Sequence, residues 1–309
     1  MKQMKLKQSR ARKTMVGLAA AIALAAGGTA AVAAGTTSHG SSRPAAARET
    51  GSGQAARARA SLVRYLSQTR PFVDLTTKDG MKPATPNLSA GPTGTAQDAS
   101  FNWSGYADTS STANTFTAVS ATWQEPVTLC TPEQRLASFW VGLDGYANGT
   151  VEQDGTLAYC FEGRAYYYTW WEMFPAGTVE VGATLRPGDL IHASVTRTGT
   201  SYTLAVTDYN DPSDSFSTSQ TCTVCTNTSA EWIAERPEFA IGIAPLTYFS
   251  DWGVSRASQT SDSVAGSIAA GPDPTRITMI DATSTYPLAI ASGLSRGGSA
   301  FSAHWLNSY

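Results

Sequence analysis

The sequence predicts an all-β domain over residues 99–309, folded as one large two-sheet sandwich or barrel. Three observations predict it. Aromatic and β-branched residues alternate with polar ones in short runs: TAVSATWQE (117–125), LASFWVGL (136–143), YYYTWWEMF (166–174), LIHASVT (190–196), YTLAVTD (202–208) and RITMI (276–280). That is the period-two signature of half-buried strands. Turn formers punctuate the runs, as in Arg186-Pro187-Gly188-Asp189 and Tyr209-Asn210-Asp211-Pro212. No helical stripe interrupts them, and the length suits a single all-β domain.

Ahead of this body the chain reads differently. Residues 1–34 have a basic stretch up to Lys13, an apolar run of small residues and an A-x-A-like site near Ala31–Ala34. This is a secretory signal peptide, because the run is too short and too rich in Ala and Gly for a spanning helix. Residues 35–98 are rich in Ala, Arg, Ser, Thr, Gly and Pro. Only Ala58–Leu75 has the apolar spacing of a short helix, so the segment cannot fold alone. It is expected to be a propeptide rather than a surface tether, because its charge complements the body. Residues 1–98 carry 14 Lys and Arg against 4 acids, whereas 99–309 carry 8 against 20, and no lysine follows Lys82. An acidic body with a removable basic arm argues against nucleic acid as a partner.

Export is compatible with disulfides, and Cys130, Cys160, Cys222 and Cys225 all lie in the exported part. Four cysteines allow three pairings, among which sequence does not choose. Cys130–Cys160 with a tight Cys222–Cys225 loop is preferred. A single C-x-x-C pair without nearby histidines does not make a zinc site, so no metal or cofactor is implied.

Hydrolase signatures are mostly missing. There is no H-E-x-x-H and no D-T-G or D-S-G pair. Gly293-Leu294-Ser295-Arg296-Gly297 matches G-x-S-x-G, but only His304 follows it and no acid lies beyond Asp281. His192 falls within a strand pattern, where packing is the simpler role. Carboxylates and amides remain. The stretch 139–172 packs aromatics, acids and the turn-forming pairs Asp144-Gly145, Asn148-Gly149 and Asp154-Gly155 into one region. Downstream, alternation in AEWIAE (230–235) puts Glu231, Ile233 and Glu235 on one face and Trp232 on the other. An acid beside an aliphatic neighbour is partly desolvated.

Six segments, NWSGY (102–106), FTAVSATWQEP (116–126), FWVGLDG (139–145), VEQDGT (151–156), YYTWWEMFP (167–175) and AEWIAE (230–235), resemble in that order the glutamic peptidases, or eqolisins. The resemblance covers nearly all of 101–309 and implies a lectin-like (concanavalin-type) sandwich of two long antiparallel sheets. It implies a catalytic glutamine at Gln153 and glutamate at Glu231, with Trp140, Asp144, Gly145, Trp170 and Glu172 binding substrate. The loop between Asp144 and Gln153 is one residue shorter than the fungal pattern. The chemistry is coherent without the resemblance: a glutamate can take a proton from water, and a neutral amide can donate to an oxyanion at any pH. The expectation is a secreted, extracellular, monomeric, acid-acting endopeptidase whose partners are polypeptide substrates and its own inhibitory propeptide, with no membrane association after signal removal. The rivals are a carbohydrate-binding lectin-like module and a glycosidase using two carboxylates such as Glu172 and Glu231.

Overall fold

The computed structural model describes residues 53–54, 56–58, 60–61, 95–239, 242–283 and 286–308. The expected signal peptide and most of the pro-region lie outside them. All the described residues belong to one compact unit, residues 49–309. Residues 53–54, 56–58 and 60–61 are helical, and the rest of the helix expected over 58–75 falls outside the described residues. No helix among the described residues is long and apolar enough to cross a membrane.

The body is nearly all strand and forms a two-layer sandwich. One layer runs in the order Pro274–Ile280, Trp103–Thr109, Ser229–Glu235, Arg135–Leu143, Val151–Phe161 and Arg164–Phe174. All these pairings are antiparallel, and Ala96–Ser100 adds a parallel strand beside Pro274–Ile280. The other layer contains Phe216–Thr221, Ser201–Asp208, Leu190–Thr198 and Phe116–Gln124. Trp252–Ser261 links the layers. Its first half pairs with Phe301–Trp305 and its second half with Phe116–Gln124.

Alternation follows from this layering. Leu190–Thr198 and Ser201–Asp208 bury every second residue against the opposite layer and leave the others to solvent. Tyr106, Phe139 and Trp232 meet Trp123, Ile191 and Leu204 in that inter-layer core. The Trp232 indole also donates across it to the Ser120 carbonyl at 2.9 Å. The central strands of the first layer are instead buried on both faces. Their outer face carries a second cluster that includes Trp103, Trp140, Tyr159, Tyr168, Trp170 and Ile233.

Both preferred disulfides form, Cys130–Cys160 and Cys222–Cys225. The turn reading needs one correction. Asp144-Gly145 is a turn, with φ of 67° and 103°, but Asp154-Gly155 lies inside the strand Val151–Phe161. Gly155 is there for close approach: a Cβ on it would lie 2.1 Å from the Phe139 carbonyl oxygen. The hairpin that follows turns at Glu162-Gly163, both at positive φ, as a tight antiparallel connection requires.

Candidate functional site

Strand register assembles the site on the outer face of the first layer. Glu231 pairs with Gly142, Gly142 with Gln153, and Gln153 with Glu172. Residues in register on neighbouring strands share a face, so the two acids and the amide point the same way. All three are fully buried. Gly142 supplies no side chain, so only its backbone and the edge of the Trp140 ring lie between Glu231 and Gln153. A Cβ there would lie 2.9 Å from the Trp140 ring and 3.2 Å from the Gln153 Cβ. Gly142→Ala is therefore expected to displace Gln153 and lower kcat/KM on the order of tenfold to a hundredfold. The overpacking should cost about 1–3 kcal/mol. Peptide kinetics alongside a thermal melt would check this, and an active variant would place the reacting atoms elsewhere.

The Gln153 Nε2 donates to Glu172 Oε2 at 2.6 Å, and the Thr178 hydroxyl donates to Glu172 Oε1 at 2.9 Å. Burial raises Glu172 to about 7, against these two hydrogen bonds. In acid Glu172 is thus uncharged, and it holds the amide without adding a negative charge. Gln153 Oε1 and both Glu231 carboxyl oxygens accept no protein hydrogen bond. Burial pushes Glu231 well above the usual carboxylate range. The charges of Asp144, Glu152 and Asp108 add to the shift. Glu231 thus keeps its proton more tightly than an exposed glutamate, and it shares one sheet face with the Gln153 amide two strands away. This arrangement can deprotonate a water and hold an oxyanion.

The other expected site residues support this row. Trp140 is buried, donates to Glu235 Oε2 at 2.8 Å and packs edge-on against Trp103 at 5.0 Å. Asp144 is buried below the strand ends. It accepts from the backbone amides of Thr226, Asn227 and Thr228 at 2.9, 2.7 and 2.8 Å. It thereby fixes the loop that feeds the strand carrying Glu231. Gly145 turns the chain at φ 103°, where a side chain would meet Val151. Trp170 is buried too and lines a small apolar pocket with Leu157, Tyr168 and Thr178 beside Glu172.

Sequence reasoning left out Glu235, Thr178 and Gly142. Alternation already placed Glu235 on the face of Glu231, which was the available signal. Burial raises Glu235 well above its ordinary value despite hydrogen bonds from Trp140 and Asn102. Thr178 comes from a separate short segment, and nothing local announces its bond to Glu172.

Other chemistries are poorly placed. His304 Nδ1 lies 2.8 Å from Asp251, an acid upstream of it in the chain, but the Ser295 hydroxyl donates to the Ala300 carbonyl. Among the described residues the one cluster with metal-like spacing is Glu152 with Cys222 and Cys225, whose sulfurs are bonded to each other.

Comparison with known proteins bears on this geometry. Residues 101–298 match the peptidase A4 family. Aspergillopepsin-2 from Aspergillus niger is 29% identical over 155 residues, which is 48% of this chain and 53% of that protein. The match thus spans about half the length of that relative. Scytalido-glutamic peptidase, solved with a transition state analog inhibitor, superposes with a TM-score of 0.57 at 24% identity, over 66% of this chain and 98% of that one. SCP-B, a member of the eqolisin family solved with the tripeptide Ala-Ile-His, does so with a TM-score of 0.54 at 23% identity and the same coverages. These likenesses establish a shared fold.

Proposed function

The chain belongs to the peptidase A4 family, and from that membership we propose that it is a secreted, acid-acting endopeptidase in which Glu231 is the general base and Gln153 the oxyanion donor. One observation carries the assignment: Glu231 and Gln153 are in register on one buried sheet face, separated only by the Gly142 backbone. Glu231 takes a proton from water, and the resulting hydroxide attacks the scissile carbonyl. The oxyanion accepts a hydrogen bond from the Gln153 amide, and Glu231 passes its proton to the leaving nitrogen. Glu172 orients the amide and Asp144 fixes the Glu231 strand. The two-carboxylate alternative is disfavoured by Gln153, which stands between Glu231 and Glu172 in the register.

The enzyme is made as a monomeric proenzyme, exported on the signal peptide and inhibited by its pro-segment. Arg57 pairs with Glu162 at 3.1 Å, Ser61 meets the Tyr159 hydroxyl at 3.0 Å, and Ala58 is fully buried. Tyr159 has the same parity as Gln153 on Val151–Phe161, so this contact sits farther along the cleft face. Acid protonates carboxylates such as Glu162 and removes the attraction. The test is to shift purified proenzyme to pH between about 3 and 4 with denatured protein as substrate, in the presence and absence of a statine-type inhibitor. The expected result is shortening of the chain by roughly 60 residues after signal removal, as the position of the cleavage signal implies, with proteolysis that the inhibitor does not block. Release of sugar without peptide, or full activity of the unshortened chain, would overturn the corresponding half of the reading.

A further inference from the structure

The motif Gly293-Leu294-Ser295-Arg296-Gly297 plays no part in the cleft, yet it ends at a second concavity. On strands outside the catalytic row, Phe116–Gln124, Leu190–Thr198, Trp252–Ser261 and Phe301–Trp305 border two adjoining cavities of about 500 and 390 Å³. The cavities share Leu190, Ser255 and Arg296, and form one groove.

Two arginines face this groove, and both have left-handed backbone, Arg256 at φ 52° and Arg296 at φ 51°. For a non-glycine residue that conformation costs on the order of 1 kcal/mol or more. Arg256 sits in a bulge of Trp252–Ser261, where the pairing with Phe116–Gln124 shifts between Ser255 and Ser258. Such a bulge re-aims a side chain. Arg296 opens the tight turn Arg296–Gly298. Both side chains are exposed, and neither makes a hydrogen bond or an ion pair among the described residues. This occurs in a body with 20 acids to 8 arginines, where carboxylates are plentiful. The Arg256 charge is felt nearby: it adds to burial in holding His192 below its ordinary value. The acid on the wall, Asp251, is engaged with His304 at 2.8 Å.

The remaining lining is mixed: Thr122, Ser255, Ser292 and Ser302 supply hydroxyls, Leu190, Val254 and Phe301 supply apolar surface, and Tyr209 stands at the rim 60% exposed. Two free guanidinium forks suit carboxylate or sulfate groups spaced along a chain. Hydroxyls suit the hydroxyl groups of a sugar chain, and the exposed Tyr209 and Leu190 suit the apolar faces of its rings. We propose that this groove binds an acidic polysaccharide through Arg256, Arg296 and Tyr209, anchoring the protein to an anionic glycan while the cleft stays free.

The proposal does not depend on the peptidase reading. Titration calorimetry at about pH 5, where uronate carboxyls are ionised, would use a hexamer of galacturonic acid, neutral dextran, poly-glutamate and inorganic phosphate as probes. The acidic hexamer is expected to bind with Kd on the order of 10⁻⁴ M, at least tenfold tighter than the other three. Arg256→Ala with Arg296→Ala should abolish measurable binding, and Tyr209→Ala should weaken it several-fold. Thermal midpoint and cleavage of a soluble substrate should stay unchanged in all three substitutions. Undiminished hexamer binding by the double variant would overturn the site. Equal binding of phosphate or poly-glutamate would overturn the glycan assignment.

Discussion

Glu231→Gln is expected to bring turnover to background with the fold intact, because it removes the only group placed to take the proton from water. Gln153→Ala should cost on the order of 10²–10³ in kcat, the range for loss of one oxyanion donor. Gln153→Glu separates the mechanisms more sharply. It keeps the size of the side chain but brings a third carboxyl into a row where Glu231 and Glu172 are already buried with raised pKa. Once ionised it repels the oxyanion, and before that it competes with Glu172 for protons. The variant should be as inactive as Gln153→Ala near pH 5, with a trace of activity returning at lower pH, where a protonated acid can donate. Near-full activity across the acid range would mean that position 153 works as half of a carboxylate pair or not at all.

Raising the pH from 4 to 8 is expected to lower the thermal midpoint by more than about 10 °C, as a loss of several kcal/mol implies for a domain of this size. The cause is a set of buried carboxyls. Burial raises Glu125 to about 8, with a hydrogen bond from Trp123 opposing the shift and the charges of Asp189 and Asp208 adding to it. Glu172 is raised to about 7, and Glu152, Asp154, Glu231 and Glu235 well above their ordinary values, each by burial first. Each group holds its proton more tightly folded than unfolded. Its contribution is fully present below the unfolded value near 4 and is lost as pH rises through the folded value. Self-repulsion among the body's excess of acids works in the same direction. Asp154 isolates the effect. It is fully buried and faces the inter-layer core, away from Gln153. Asp154→Asn should raise the midpoint at pH 8 more than at pH 4 and leave cleavage intact. A wild-type midpoint at pH 8 equal to or above that at pH 4 would refute the account.

Local pattern determined much of this protein. Period-two alternation located the strands at 116–124, 135–143, 164–174, 190–198 and 201–208 to within two residues, because a half-buried sheet forces every second side chain inward. The same alternation placed Glu231 and Glu235 on one face and Trp232 on the other, and the order of six segments pointed to Gln153. The strand carrying Gln153 was less legible. Asp154-Gly155 has the composition of a turn, but Gly155 serves a backbone approach to Phe139 and Trp140 that only the neighbouring strand creates. Expected contact roles for Trp140 and Asp144 rested on the family resemblance. The structure gives Trp140 a bond to Glu235 and Asp144 a cluster of amides from the 226–228 loop, more than 80 residues away. Register across separate strands decided that Gly142 would lie between Glu231 and Gln153 and that Glu172 would accept from the Gln153 amide. It depends on long-range pairing, which no local spacing encodes. The burial of so many acids was equally hidden, because a carboxylate in a strand pattern reads as solvent-facing until a second layer and an aromatic cluster cover both faces of the sheet.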